Sequence, residues 1–576
     1  MVTQAISFKK ARHHHIIYIM ALLAICLATP LSAQMTADLV TAENGIVASQ
    51  HYLATQAGLD VLKEGGNAID AAVTVGFTLA VTLPVAGNIG GGGFMVIHQV
   101  ENGKTVAIDY REKAPAKAHR NMFLDENGDP DPQMSRYSYK AVGVPGSLAG
   151  MCLALEQYGS ITLERSLEPA IRYAEEGFIV DDYLHRTIDH AKERLADFPA
   201  SRAIFLNEDG EAWAVGHRII QRDLAWSLRQ IAVEGPDAFY RGKIAERIAD
   251  DMASNGGLIT LDDLRAYNPV ERKPVKGSYR GYEIYSMPPP SSGGAHIVQI
   301  LNILENYPIG VYGHNTPLTI HMMAEAMKFA YADRSKYLGD PDFAEVPLEG
   351  IIDKSYAKDL ADRIDPDRAT PSTAISPGNP GKYESPQTTH YSVVDRWGNA
   401  VSTTTTLNLN FGTGIVAAGT GILLNDEMDD FSSKPGTPNA FGLLGGEFNA
   451  IEPGKRMLSS MTPTIVMKDG KVLLVTGSPG GSRIITTTLQ IVMNVIDHGM
   501  NIADATQAVR IHHQWMPDEL RVEPGLSDDV IERLEAKGHT VVENGTMGIT
   551  QSIMRISGRL EGASDPRGES SLTAGY

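Results

Sequence analysis

The 576-residue sequence contains very little cysteine, with only Cys26 and Cys152. Disulfide bonds therefore contribute little, and packing must hold the fold together. Basic residues are also fewer than acidic ones: the sequence has 50 lysines and arginines and 69 aspartates and glutamates, which gives a formal net charge of -19. This charge argues against a polyanionic partner such as nucleic acid, whose affinity comes largely from basic side chains on phosphates.

Several common catalytic and cofactor-binding patterns are missing as well. Glycines 90–93 lack the lysine and the spacing of a nucleotide-binding loop, so we interpret them as sites of close backbone packing. There is neither a Gly-x-Ser-x-Gly elbow nor a Cys-His pair. His321 with Glu325, and the adjacent His512 and His513, complete no recognisable set of metal ligands, and a structural role is expected for both pairs. No metal or organic cofactor is expected.

The N-terminus has the pattern of a secretory signal. A basic start precedes an apolar run from Ile16 to about Ala28, and a possible cleavage site ends at Ala33. We expect residues 1–33 to be a cleaved signal peptide that sends the protein to the periplasm or outside the cell, with an uncleaved membrane anchor as the alternative. Its loss leaves Cys152 as the only cysteine. No later stretch is long and apolar enough for a transmembrane helix.

Apolar periodicity predicts mostly helices in the first half of the chain, interrupted by a strand after the glycines at 94–97. The C-terminal part mixes strands with helices, including one that begins after Ser527 and ends by Gly538. This order predicts an α+β sandwich of sheets covered by helices, not a doubly wound sheet. The expected helical segments are 50–83 with a break at 65–67, 139–267, 295–307 and 319–337.

Residues 365–387 have the composition of an exposed and cleavable segment, rich in Pro, Gly, Ser, Thr and Asn. A strand is predicted directly after it, from Thr388 to Asp395. On propensity alone, β-branched residues in an ordinary sheet are the better explanation of this strand.

The turn after this strand fixes a register. Residues 396–398 resemble a three-residue hairpin loop with positive φ at Gly398, which pairs Asp395 with Asn399. Counting outward then places Thr388 opposite Thr406. Because side chains two residues apart share a face of a strand, Asn408 is expected on the same side as both threonines.

The segment 477–483, Gly-Ser-Pro-Gly-Gly-Ser-Arg, has two interpretations. It is either a tight turn before a helix or a site where adjacent backbone N–H groups near a helix start hold an oxyanion.

Several short motifs follow one another along the chain. They are Thr388-Thr389-His390-Tyr391-Ser392-Val393-Val394-Asp395, Thr406-Leu407-Asn408, Met428-Asp429-Asp430-Phe431, Leu458-Ser459-Ser460-Met461 and Gly477-Ser478-Pro479-Gly480-Gly481, with Tyr110-Arg111-Glu112, Tyr331-Ala332-Asp333-Arg334 and Asp565-Pro566-Arg567. Taken together and in order, these motifs resemble the gamma-glutamyltranspeptidase family from about Gly45 to Tyr576. The resemblance implies an N-terminal nucleophile hydrolase with a four-layer αββα sandwich. It also implies self-cleavage between Gln387 and Thr388 into a large subunit, 34–387, and a small subunit, 388–576, which together form one intertwined domain.

The resemblance also assigns a role to each site residue. Thr388 is the nucleophile, activated by its own α-amine after cleavage, and Thr406 hydrogen-bonds it. The carboxylate of a γ-glutamyl group is held by Arg111, Ser459 and Ser460, its ammonium by Asn408, Glu427 and Asp430, and the oxyanion by the N–H groups of Gly480 and Gly481. The expected substrates are glutathione and related γ-glutamyl amides, with water, amino acids or short peptides as acceptors.

The sequence departs from the family pattern at two positions. Glu427 stands where some bacterial members carry Gln, and Phe441, in a lid-like segment 435–446, stands where Tyr is frequent. A cephalosporin or glutaryl acylase on the same scaffold is the main alternative, against which Asp430 argues, since those relatives lose the acidic contact to an ammonium. A γ-linked polyglutamate depolymerase and an inactive binding protein are further alternatives, disfavoured by the lid and by the complete set of catalytic positions.

Overall fold

Two seven-stranded sheets form the centre of the computed structural model, which describes residues 36–379 and 389–576. The first sheet has the strand order β1-β20-β19-β15-β14-β9-β8, and the second has the order β21-β2-β10-β11-β3-β4-β7. All neighbours in both sheets are antiparallel. The strands are β1 Val40–Ala42, β2 Ile46–Ser49, β3 Gly92–His98, β4 Thr105–Asp109, β5 Phe178–Ile179, β6 Arg218–Ile219, β7 Val270–Arg272, β8 Val275–Tyr279, β9 Tyr282–Ser286, β10 Thr389–Val394, β11 Ala400–Thr406, β12 Val416–Ala417, β13 Ile422–Leu423, β14 Thr464–Lys468, β15 Lys471–Thr476, β16 Ile511–His512, β17 Leu520–Val522, β18 Val541–Glu543, β19 Gln551–Ile556, β20 Arg559–Ser564 and β21 Leu572–Gly575.

Helices occupy most of the described chain between the strands. The α-helices are α1 Tyr52–Lys63, α2 Ala68–Thr82, α3 Pro132–Tyr137, α4 Ser147–Tyr158, α5 Leu163–Glu176, α6 Asp182–Ala196, α7 Pro199–Phe205, α8 Arg222–Glu234, α9 Asp237–Tyr240, α10 Lys243–Ser254, α11 Leu261–Ala266, α12 Ser292–Leu304, α13 Ile309–Tyr312, α14 Pro317–Tyr337, α15 Leu348–Ile351, α16 Lys354–Ala361, α17 Arg483–Ile496, α18 Ile502–Gln507 and α19 Asp528–Ala536. Short 3₁₀ turns lie at Tyr139–Ala141, Ser372–Ala374, Glu427–Asp430 and Glu447–Asn449. Among the described residues, no helix has both the length and the apolar character needed to cross a membrane.

Three hydrophobic cores show how the layers stack. One core lies between the sheets and joins residues such as Phe94 and Val394 of the second sheet to Ile465 and Ile553 of the first. A second core packs α1, α2, α5 and α8 on the outer face of the second sheet. A third packs α12, α14 and α17 on the outer face of the first sheet. Because side chains alternate along a strand, each sheet covers two cores, and the result is the expected four-layer αββα sandwich.

The break between α1 and α2 follows from the sequence Gly65-Gly66-Asn67. Gly65 has a φ of +102°, which ends the first helix in a conformation that side chains disfavour. Asn67 then caps α2, since its side chain accepts from Ile69 and Asp70 N–H groups and the Asp70 carboxylate accepts from Asn67 N–H. The predicted helix pair is confirmed.

The predicted hairpin is also confirmed. Thr389 pairs with Thr405 and Val394 pairs with Ala400, which is the register expected from an Asp395–Asn399 closing pair. Gly398 has a φ of +95°, as a three-residue loop requires. Strand β10 lies between β2 and β11, in the interior of its sheet. The signal segment, Gln387 and Thr388 lie outside the described residues.

Candidate active site

Arg111 is the centre of a buried ion-pair cluster just beyond the end of β4. Its backbone N–H donates to the Asp109 carboxylate at 3.0 Å, which fixes the turn out of the strand. Its guanidinium lies 2.6 Å from Glu427 Oε2 and donates to Asp430 Oδ2 at 2.6 Å. Both acidic residues come from the 3₁₀ turn 427–430, and all three side chains are almost fully excluded from solvent.

The cluster holds more acidic than basic groups. Glu112, whose Oε2 lies 3.5 Å from Arg111 Nη1, and Asp426 are fully buried beside it. Burial raises the pKa of Glu112 to about 8 and that of Asp430 to about 6, while nearby Arg111 opposes both shifts. Burial also raises the pKa of Glu427 well above its ordinary value. One guanidinium does not compensate all of these groups as carboxylates, so burial favours their protonated forms, and a cation that enters the cluster would favour the ionised forms.

Thr406, at the end of β11, connects to this cluster through Asn408. Asn408 N–H donates to the Thr406 hydroxyl at 2.7 Å, and its side-chain amide donates to Asp426 Oδ2 at 3.1 Å. The strand ends at Thr406, and Asn408 has a φ of +78°. Asn408 thus lies beside Thr406, as expected, but strand alternation is not the cause. A left-handed turn and a hydrogen bond bring the two residues together.

Close backbone packing supports Thr406 from the other side. A Cβ on Gly91 would lie 2.1 Å from the Thr406 carbonyl oxygen, so only glycine fits there. The carbonyl also accepts from Asn88 Nδ2 at 2.7 Å. These contacts support the interpretation of the glycine run as packing.

Gly480 and Gly481 precede α17 and line the same cavity as Thr406 and Asn408, with a volume of about 420 Å³. Their φ values are +136° and +61°. Among the described residues, no hydrogen-bond acceptor faces either glycine's N–H group. Adjacent free N–H groups in such a conformation, next to a helix start, suit a developing negative charge.

Ser459 and Ser460 lie on a buried loop tied to the cluster. Asn449 is the link, since its side chain donates to Asp430 O at 2.7 Å and accepts from Leu458 N–H at 2.9 Å. The Ser460 hydroxyl is buried and makes no hydrogen bond within the described chain. The structure thus brings these serines to the acidic turn, where a hydroxyl remains available.

The lid-like segment 435–446 packs against Gly481. The Phe441 ring packs on Gly481, and Asn439 Nδ2 donates to Asp430 Oδ1 at 3.1 Å. Gln514 Nε2 donates to Gly442 O at 3.2 Å. Phe441 has no hydroxyl to hold the lid, and these hydrogen bonds hold it instead.

We expect Gly481→Ala to lower the melting temperature measurably. Its new Cβ would lie 2.5 Å from Phe441 Cδ1, and a φ of +61° costs an L-residue roughly 1–2 kcal/mol. The double variant Gly481→Ala/Phe441→Ala should recover the part due to the clash but not the backbone strain. Equal melting temperatures for the single variant and the wild type, measured by calorimetry, would contradict this packing.

In the fold, His539 lies next to His321 and Glu325, a contact that the sequence did not predict. Ligand atoms of His321, Glu325 and His539 lie within 4.8 Å of one another. However, His321 is hydrogen-bonded at both ring nitrogens, at 2.8 Å to His539 Nε2 and at 2.7 Å to Asp365 O. The Lys328 ammonium lies 2.8 Å from Glu325 Oε1. Because a cation already faces the carboxylate, the geometry favours the structural role expected for this pair.

Comparison with known proteins assigns the chain to a family. The model of the gamma-glutamyltranspeptidase family matches residues 54–575. The chain belongs to the gamma-glutamyltranspeptidase family. A glutathione hydrolase proenzyme of Escherichia coli (strain K12) is 58% identical over 95% of each chain.

Solved structures agree with this membership. A gamma-glutamyltranspeptidase of Helicobacter pylori is 51% identical, with a TM-score of 0.57, and covers 57% of this chain and 94% of its own. A cephalosporin acylase from Bacillus halodurans has a TM-score of 0.83 at 30% identity and covers 94% of this chain and 97% of its own. As a gamma-glutamyltranspeptidase family member, the chain is an enzyme with the N-terminal nucleophile hydrolase fold.

The sequence did not assign a role to Glu112, Asp426 or Asn439. Glu112 follows Arg111 directly and Asp426 precedes Glu427 directly. Their position next to assigned site residues is the signal in the sequence that could have pointed to them. Charged residues are ordinarily exposed, and a sequence does not show that these are fully buried.

Proposed function

We propose that the chain is the precursor of a gamma-glutamyltransferase that cuts itself between Gln387 and Thr388. The observation that carries the proposal is the register of β10 and β11. The pair Thr389–Thr405 leaves Thr406 as the next position on β11, and Thr406 lines one cavity with Gly480 and Gly481. A nucleophile at position 388 would then stand opposite Thr406, at the mouth of an oxyanion site.

Cleavage supplies the catalytic base. Before the cut, the nitrogen of Thr388 belongs to an amide and does not accept a proton. Afterwards it is an α-amine, with a reference pKa of about 7.7–8.0, close to working pH. The amine takes the proton of the Thr388 hydroxyl, which attacks the γ-carbonyl of the donor. The products of the cut are the subunits 34–387 and 388–576.

Donor binding proceeds by exchange of ion pairs within the buried cluster. The α-carboxylate of a γ-glutamyl donor replaces the acidic side chains on Arg111, which offers two parallel donors. The α-ammonium then lies against Glu427 and Asp430, so that each charge keeps a partner. Ser460 donates its free hydroxyl to the carboxylate together with Ser459, and Asn408 contributes its side-chain oxygen, which has no hydrogen bond among the described residues.

Turnover ends with transfer of the γ-glutamyl group. The Gly480 and Gly481 N–H groups stabilise the tetrahedral oxyanion, and its collapse releases the amine portion of the donor. The resulting ester on Thr388 reacts with water to give glutamate, or with an amino acid or short peptide to give a new γ-glutamyl amide. Glutathione is the proposed donor, and the exported location follows from the signal pattern.

The acidic cluster favours this function over an acylase. Acyl groups such as glutaryl lack the α-ammonium and would leave Glu427 and Asp430 without a new counter-ion. Unpaired buried carboxylates are costly, so an ammonium-bearing donor fits this cluster better.

Protein sequencing and intact mass measurement test the proposal before any assay. We expect the purified protein to contain two fragments, one beginning Thr388-Thr389-His390. A single uncut chain after long incubation, or a cut at another residue, would contradict the assignment of the nucleophile.

The KM for γ-glutamyl donors is expected to rise as pH falls below about 6. Burial raises the pKa of Asp430 to about 6, and an ammonium binds the ionised carboxylate, so binding releases a proton and weakens in acid. Release of one proton from Asp430 on binding predicts that the affinity for the donor falls by up to about tenfold for each pH unit below the pKa. Initial rates with a γ-glutamyl anilide from pH 5 to 8 would measure it. Asp430→Asn should bind weakly with a flatter profile, whereas a steep profile in that variant would assign the titration to another group.

A further inference from the structure

Arg483 lines two neighbouring cavities beside the proposed nucleophile. One, of about 420 Å³, contains Thr406 and the glycines of the oxyanion site. The other, of about 410 Å³, extends toward Tyr183 and Thr546. Both are lined by Asn410, Gly480 and Arg483. A ligand bound at the oxyanion site therefore has Arg483 on the wall of its cavity and a second cavity next to it.

The Arg483 side chain is half-buried and has no hydrogen bond or ion pair to any residue in the described ranges. Its backbone is held in place, since Arg483 N–H donates to Gly480 O at 3.1 Å. Glu523, an acidic group near it, already pairs with Arg567 at 2.5 Å. Burial lowers the pKa of the guanidinium, which still remains charged in proteins. A positioned and unpaired guanidinium at a cavity wall favours an anionic ligand.

The surroundings strengthen this preference. Arg194 lines the first cavity, where its Nη2 donates to Asn410 O at 2.5 Å and its guanidinium stacks 4.8 Å from the Tyr137 ring centroid. Glu569 lines the second cavity but pairs with Arg186 at 2.5 Å. On a chain with a formal charge of -19, the region next to the oxyanion site is thus basic.

We propose that Arg483 binds the C-terminal carboxylate of the peptide that leaves the donor or accepts the γ-glutamyl group. This inference rests on the proposed function and names its peptide specificity. A dipeptide whose nitrogen is at the γ-carbonyl extends roughly 7 Å to its carboxylate. Arg483 follows the oxyanion glycines by two residues, so its side chain borders the path that such a peptide takes. A guanidinium matches a carboxylate with two parallel hydrogen bonds.

The test compares donors that differ in the leaving group. For Arg483→Gln, we expect kcat/KM with glutathione to fall roughly 10- to 100-fold, as loss of a charge-assisted contact implies. With γ-glutamyl-p-nitroanilide, which has no carboxylate on its leaving group, the change should stay under about threefold. Arg483→Lys should recover part of the loss, since it keeps the charge without the fork. Arg533→Gln, on the exposed helix α19, controls for the change in net charge.

The same comparison holds for acceptors. Wild type should use glycylglycine at least about tenfold better than glycylglycine amide, and Arg483→Gln should lose that preference. Equal losses on glutathione and the anilide, or an unchanged rate on glutathione, would overturn the role of Arg483.

A measurement without mutation guards against misfolding of the variant. Wild type should hydrolyse glutathione at least about tenfold faster, in kcat/KM, than glutathione with its terminal carboxylate amidated. Equal values would overturn the assignment while leaving the proposed function intact. A mature wild-type enzyme that turns over neither glutathione nor the anilide would overturn the proposed function, and the role of Arg483 with it.

Discussion

Thr388→Ala is expected to remain a single uncut chain and to lose turnover by a factor on the order of 10⁴ or more. Alanine has no hydroxyl to attack the preceding carbonyl, so cleavage does not begin. Without cleavage there is no α-amine, and the nucleophile is missing as well. Gel electrophoresis over time and donor hydrolysis measure the two losses separately.

Thr388→Ser is the matched control because it keeps the hydroxyl and removes only a methyl group. We expect it to mature, at a reduced rate, and to retain activity. The Thr388→Ala chain should keep the wild-type circular dichroism spectrum, since the rest of the sandwich is unchanged. If Thr388→Ala matured and turned over substrate, the nucleophile would have to be sought elsewhere.

Arg111→Gln is expected to lower the free energy of unfolding by about 3–5 kcal/mol and to abolish measurable donor saturation. The substitution removes the guanidinium that lies 2.6 Å from both Glu427 and Asp430. Their buried carboxyl groups would then lack a counter-ion, and the donor carboxylate would lack its partner. Urea unfolding of the uncut Thr388→Ala chain with and without Arg111→Gln measures the change in stability, and donor kinetics of the mature variant below its unfolding range measure the loss of binding.

A double variant separates stability from function at this cluster. Arg111→Gln/Glu427→Gln removes one unpaired carboxyl group and should recover part of the stability while donor binding stays lost. Recovery of both would mean that Arg111 acts only by holding the fold. Full stability in Arg111→Gln alone would contradict the strength of the ion pairs described here.

The sequence predicted the architecture well where local rules determine it. The α1–α2 break follows from Gly65 and Asn67, and the β10–β11 register follows from a turn whose geometry requires Gly398. The helix α12 begins at Ser292, three residues earlier than expected, because its first turn includes Gly293 and Gly294 in close contact with neighbouring backbone. A sequence shows glycine as a break and does not show such packing.

The electrostatics of the site were the harder part to predict. The resemblance gave separate roles to Arg111 and to the pair Glu427 and Asp430, whereas the structure joins all three in ion pairs. Glu112 was not assigned at all. Burial decides these interactions, and burial depends on how distant segments pack, which residue spacing does not encode.

The way the two sheets are woven has a consequence for reversibility. Each sheet contains strands from both sides of position 388: β10 pairs with β2, β21 lies beside β2, and β20 lies between β1 and β19. Before the cut, folding is a first-order event of one chain. After the cut, the unfolded fragments gain the freedom to diffuse apart, and refolding becomes a second-order encounter between them. The folded structure of the mature enzyme is therefore one that only the intact chain reaches readily. Once the chain is cut, the lifetime of the folded enzyme depends on the height of the barrier to unfolding.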